Sequence, residues 1–128
     1  MKKFLKAVII IVAAIVIIGG GMYTYVTWGM DRVLGETVRP ADLNALSDGT
    51  YEGSYQNARW SNKVAVTVSG GRITGVEVLE DVKIPLKDVT EQLTGRVLEK
   101  QNIDVDVISS ATATCNAYLK AMENALNK

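Results

Sequence analysis

No histidine occurs anywhere in the 128 residues. That absence removes serine–histidine and cysteine–histidine hydrolysis, histidine metal ligands and histidine proton shuttles. Cysteine occurs once, as Cys115. A lone cysteine excludes an internal disulfide, a CxxC redox pair, a thiolate metal cluster and a CxxCH haem attachment site. Two prolines and 22% charged residues argue against a disordered tail. No sign of charge dominates, with 14 basic against 14 acidic side chains. A nucleic-acid footprint would need a basic stripe, so nucleic acid is not an expected partner. The side chains that remain are poor catalysts, which suits a borrowed cofactor or plain binding. The length allows one small domain plus a short extra segment.

The even charge balance hides an asymmetry. Lys2, Lys3 and Lys6 are the only charges in the first thirty residues, and the rest of the chain carries a net −3. From Ala7 to Met30 there is no charge, and Ala7 to Ile18 is an unbroken apolar run. As a helix that stretch reaches about 36 Å, enough for a hydrocarbon core of about 30 Å with some tilt. The lysines place the N-terminus on the cytoplasmic side by the positive-inside rule, and Tyr23, Tyr25 and Trp28 suit the far interface. The expectation is a single-pass cell-membrane anchor over residues 1–30, with the domain extracytoplasmic. A cleaved signal peptide and a buried core helix are the alternatives. No good Ala-x-Ala site follows the run.

Residues 31–47 read as a linker with at most a short helical turn, interrupted by Pro40. Asp48-Gly49 signals a turn, and Thr50 to Gln56 reads as the first strand. Asn57 to Asn62 reads as a loop. Lys63 to Val68 alternates, with Val64, Val66 and Val68 on one face. Gly70-Gly71 then makes a tight turn into a strand over Ile73 to Leu79, so the pair predicts an antiparallel hairpin. Val89, Leu93, Val97 and Leu98 recur at helical spacing and predict a helix over Leu86 to Gln101, with Pro85 suited to its first turn. Asp104 to Ile108 alternates again and predicts a short strand. A last helix follows over Ala111 to Leu126, with an apolar stripe of Cys115, Tyr118, Leu119, Met122 and Leu126. The expected fold is α+β: a small antiparallel sheet packed with two helices, preceded by one N-terminal transmembrane helix. The domain covers residues 48–128. At that size the core is modest, and a bound cofactor would add to its stability.

The stretch with most chemical content is Asp106-Val107-Ile108-Ser109-Ser110-Ala111-Thr112-Ala113-Thr114. It reads as a strand end, a hydroxyl-rich turn and a helix start. Backbone N–H groups at a helix start, aided by the dipole, make an anion site. Ser109, Ser110, Thr112 and Thr114 add hydroxyl donors, and no acidic residue occupies the first turn. Plain capping by Ser109 or Ser110 explains the same residues without a ligand. Cys115 falls on the apolar stripe and reads as a buried small hydrophobe.

This stretch resembles the flavin-attachment motif of the FMN-binding domain family, which pairs an Asp with a Ser or Thr, usually Gly, and then Ala-Thr. Asp106, Ser109, Ala111 and Thr112 match, while Ser110 stands where glycine is usual. Asp48-Gly49-Thr50-Tyr51-Glu52-Gly53 resembles the family's domain opening, and Val64 to Leu79 resembles its hairpin. The resemblance covers roughly residues 48–127 and includes the periplasmic flavin subunits of the sodium-pumping NADH:quinone oxidoreductase and Rnf complexes. It implies covalent FMN on Thr112 through a phosphoester, installed from FAD by a magnesium-dependent FAD:protein FMN transferase with loss of AMP. It also implies a carrier rather than a stand-alone enzyme. Its partners would be a membrane reductase or quinone-linked donor, an extracellular or membrane acceptor, and lipid around the N-terminal helix.

A flavin ring needs an apolar or aromatic wall. Trp60, Tyr51 and Tyr55 are the candidates, and Arg59 and Lys63 are candidate cations near the ring or phosphate. The competing functions are a module that holds FMN or another phosphate ligand without a covalent bond, and an interaction domain without cofactor. A hydrolase is least expected.

Overall fold

The computed structural model describes residues 1–108 and 111–127. Helix α1 spans Lys2–Thr27. A helix satisfies its backbone groups internally, as an apolar segment requires in lipid. None of its residues is buried, which sets aside a buried core helix, and it is long and apolar enough to cross a membrane. It stops at Trp28 and Gly29. Gly29 has φ +78°, a left-handed conformation that glycine accepts without strain. A short helix α2, Met30–Leu34, follows.

The segment read as a linker lies against the domain. Val33 is fully buried, and its carbonyl accepts from Asn116 Nδ2 at 3.1 Å. The Arg39 N–H donates to buried Glu123 at 2.7 Å. Ala41 and the Asn102 side-chain amide exchange two hydrogen bonds, both 2.9 Å. Val33, Ala41 and Leu43 enter the core singly, so no periodic pattern advertised them.

The sheet has three antiparallel strands in the order β1-β2-β3: β1 Gly49–Tyr55, β2 Asn62–Ser69 and β3 Arg72–Glu80. Val64, Val66 and Val68 are buried on the face that the period-two pattern indicated. The β2–β3 loop is the two residues Gly70 and Gly71, with φ +60° and +74°, as a type I′ hairpin turn needs. Asp48 accepts the Gly70 N–H at 2.8 Å and holds the turn against the start of β1.

Helix α3, Lys87–Lys100, buries Leu93 and Val97. It ends at Gln101, whose side-chain amide bonds both backbone groups of Ile73, at 2.7 and 3.0 Å. Helix α4, Thr112–Leu126, lies across β1 and β2 and has an almost wholly buried surface. Its approach to β1 requires Gly53. A Cβ there would collide with the α4 backbone at Ala121 and Ala125. Gly53→Ala is therefore expected to destabilise the domain by about 1–3 kcal/mol, as overpacking of a rigid contact does. Urea unfolding of the full chain in mild detergent, followed by circular dichroism, measures it.

One sequence expectation fails. Asp104 to Ile108 belongs to no sheet among the described residues. Side chains of α3 take the place of a neighbouring strand: Arg96 Nη1 donates to the Asp106 carbonyl at 2.7 Å, and Lys100 Nζ to the Asp104 carbonyl at 2.6 Å. The alternating valines pack partly against the core, which explains the strand-like pattern without strand pairing.

Tyr118, near the middle of α4, donates its hydroxyl to Asp81, just after β3. Burial, and then this bond to a carboxylate, push its pKa up to about 12 from the ordinary 10.0. The neutral phenol is thus favoured in the folded state. Its contribution, roughly 2–3 kcal/mol, is complete below about pH 10 and disappears as pH rises through about 12. Tyr118→Phe is expected to lower stability at neutral pH and to flatten the fall over that alkaline window. Urea midpoints measured from pH 8 to 12 check it.

Candidate functional site

The start of α4 meets three other elements. Ala111 occupies the cap position and donates its N–H to the Ile108 carbonyl at 2.8 Å, which turns the chain into the helix. Thr112 is the first helical residue, and the first turn has no acidic side chain. The positive end of a 15-residue helix therefore has no carboxylate of its own turn beside it.

In front of this helix start lies a cleft of about 480 Å³. Clefts that hold small molecules run from about 300 to 1,000 Å³. Ala111, Thr112, Ala113 and Thr114 line it, together with Arg59 and Trp60. Met30 and Leu34 of α2, with Ile84 and Leu86 of the loop before α3, supply aliphatic surface. Trp60 sits in a short 3-10 turn, Ala58–Trp60, in the stretch read as a loop. Its indole is almost fully buried, with the Arg59 guanidinium 4.0 Å above the ring centroid. Its Nε1–H has no hydrogen-bond acceptor among the described residues. A buried donor without a partner is costly in a finished core.

Of the expected site residues, the fold brings together Thr112, Ala111, Thr114, Trp60 and Arg59. Ser109 and Ser110 lie outside the described residues. Asp106 is exposed and borders a different hollow of about 620 Å³, shared with Arg96, Glu99 and Lys100. That hollow is roomier, but it carries charged groups and no aromatic wall. Tyr55 and Tyr51 do not line the cleft. Tyr55 is a core residue that donates to Glu36 at 3.4 Å and accepts from Asn57 at 3.1 Å. Tyr51 donates to the Ser47 carbonyl at 2.6 Å. Lys63 pairs with Glu52 at 3.6 Å, also away from the cleft. Cys115 is fully buried, and burial raises its thiol pKa, so it stays an unreactive thiol.

The aliphatic members Met30, Leu34, Ile84 and Leu86 were not foreseen. Met30 and Leu34 belong to the five-residue helix α2, and Ile84 and Leu86 to the loop before α3; the one available signal was the apolar pair around Pro85.

A helix start with hydroxyls, a cation, a buried indole and aliphatic walls fit a ligand with a phosphate at one end and a flat apolar ring at the other. These features define a small α+β cofactor-binding domain. The model of the FMN-binding domain family matches residues 61–127, from β2 to the end of α4. The chain belongs to the FMN-binding domain family. It is also 34% identical over 100 residues to a Treponema pallidum (strain Nichols) protein described as uncharacterized. That match covers 77% of this chain and spans 28% of the relative's length.

Proposed function

We propose that this chain is a membrane-anchored, extracytoplasmic flavoprotein whose FMN is joined to Thr112 and which relays electrons between membrane and extracellular redox partners. The observation that carries the reading is the position of Thr112, at the start of α4 in the cleft walled by Trp60. Arg59 would face the negative charge of the cofactor, and Met30 and Leu34 would exclude water from its ring. The helix start would hold the phosphate. Bound FMN supplies the one- and two-electron chemistry, which the chain's own side chains lack.

Attachment forms one bond and breaks one. The Thr112 Oγ1 bonds to the FMN phosphorus of FAD, the pyrophosphate linkage opens, AMP leaves, and the hydroxyl proton passes to the transferase or solvent. The magnesium-dependent FAD:protein FMN transferase is the partner for this step. A membrane reductase or quinone-linked donor and an extracellular or membrane acceptor are the partners for electrons. The three lysines before the apolar run support a cytoplasmic N-terminus.

Intact mass of the denatured full chain, co-expressed with the transferase, tests the attachment. An increment of about 438 Da is expected, FMN less water, because the cofactor is a covalent part of the product. An unmodified chain that retains yellow FMN only before denaturation would instead support the non-covalent binding module, which Ser110 in place of glycine favours. Protease treatment of intact cells tests the side: an exported domain is cleaved without lysis.

A further inference from the structure

The anchor and the domain are joined by more than a tether. Arg59 Nε donates to the Val26 carbonyl in the last turn of α1, at 2.9 Å. Asn57 Nδ2 donates to the Gly29 carbonyl at 2.9 Å. Any Cβ on Gly29 would strike the Asn57 side chain, so the fit at this junction is close. The Lys83 N–H in turn donates to the Arg59 carbonyl at 3.0 Å. These three bonds fasten the loop from Asp81 to Lys87 and the 58–60 turn to the exit of α1.

The surface around that exit is apolar and cationic. Beyond α1, five large apolar side chains are exposed among the described residues, and four of them, Trp28, Leu34, Ile84 and Leu86, cluster here. A hollow of about 250 Å³ opens between Tyr25, Trp28, Ala58, Arg59 and Lys83. Lys83 and Lys87 are exposed at either side of Ile84-Pro85-Leu86. Asp81 is exposed, and its Oδ1 accepts from the Tyr118 hydroxyl and the Val82 N–H. Asp88 and Asp31 are exposed at the edges.

We infer that the loop 81–87 and the 58–60 turn form a second membrane contact, seated among anionic phospholipid headgroups beside the anchor. The inference rests on α1 crossing the membrane. The uncharged stretch ends at Met30, so residues bonded to Val26 and Gly29 lie at headgroup depth. Ile84 and Leu86 enter the acyl boundary there, while Lys83 and Lys87 meet lipid phosphates. Arg59 borders both this hollow and the cleft at Thr112. The cofactor cleft is therefore held at the membrane surface. The β2–β3 turn is the far end: a strand of eight residues carries it about 26 Å away.

The test uses the full chain in liposomes of phosphatidylcholine with or without phosphatidylglycerol. Ile84→Cys and Arg72→Cys are made in a Cys115→Ala background and each is labelled with an environment-sensitive fluorophore. With phosphatidylglycerol, the label at 84 is expected to be quenched several-fold more by nitroxide lipids than the label at 72, and to be shielded from aqueous iodide. Lys83→Glu with Lys87→Glu should reverse that pattern without releasing the chain to alkaline extraction. If both labels are quenched alike by iodide while the chain resists alkali, the second contact is wrong and the anchor stands. If alkali extracts the chain, the anchor falls and this contact with it. Equal shielding at 84 without phosphatidylglycerol overturns the anionic recognition.

Discussion

Thr112→Ala is expected to abolish the covalent flavin altogether while leaving the chain folded and in the membrane. Thr112 is the first residue of α4 and only half-buried, so truncating it removes at most about 1 kcal/mol of helix-start stabilisation. Chemistry, by contrast, admits no partial result: a methyl group cannot form a phosphoester. The intact mass should lose the whole increment of about 438 Da expected for bound FMN less water. Thr112→Ser keeps the oxygen and should retain some modification. Thr114→Ala removes a hydroxyl from the same cleft and should keep the adduct, because Thr114 is buried, two residues further along the helix. If the parent chain is modified and Thr112→Ala is modified equally, another hydroxyl is the acceptor and the assignment of Thr112 is wrong.

Trp60 carries the second large effect, and two substitutions divide its roles. The side chain is 1% exposed and belongs to the core as well as to the cleft. Trp60→Ala leaves a cavity the size of an indole and is expected to cost about 3–5 kcal/mol, a large share of the stability of so small a domain. It also removes the ring beneath the Arg59 guanidinium. Trp60→Phe keeps much of the volume and deletes an N–H that has no acceptor among the described residues. In the flavin-free chain its cost should be far below that of Trp60→Ala, because no hydrogen bond is lost. Urea unfolding followed by circular dichroism reads both variants. If Trp60 forms the wall of the flavin site, Trp60→Phe should also shift the visible absorption of the loaded protein. An unchanged spectrum would assign Trp60 to packing alone.

The regular elements were legible because their patterns are local. The valines of β2 alternate, Gly70-Gly71 demands a hairpin turn, and the stripe on α4 repeats at helical spacing. Each of these needs only neighbouring residues to be read. The stretch from Asp104 to Ile108 shows the limit of that logic. Its alternation is real, but whether an extended segment becomes a strand depends on a partner elsewhere in the chain. Here Arg96 and Lys100 bond two of its carbonyls instead.

The candidate site divides the same way. Thr112, Ala111 and Thr114 form a contiguous motif, so their grouping could be read directly. Asp106, from the same motif, borders another hollow, and Tyr55 faces the core. Met30 and Leu34 reach the cleft from the short helix α2, and Ile84 and Leu86 from the loop before α3; the apolar pair around Pro85 is the one mark of them in the sequence.

The sequence by itself determined the FMN-binding class of the domain, the long apolar helix, the hairpin, both domain helices and the threonine at the start of the last one. Absence of histidine and scarcity of cysteine did as much here as any motif, because composition limits what side chains can catalyse. Tertiary structure alone decided that Trp60 lines the same cleft as Thr112, that Gly53 admits the α4 backbone, and that Arg59 ties the domain to the end of α1. Those facts join residues far apart in the chain. Their cause is close packing between elements, which requires the folded arrangement and leaves no periodic trace along the chain.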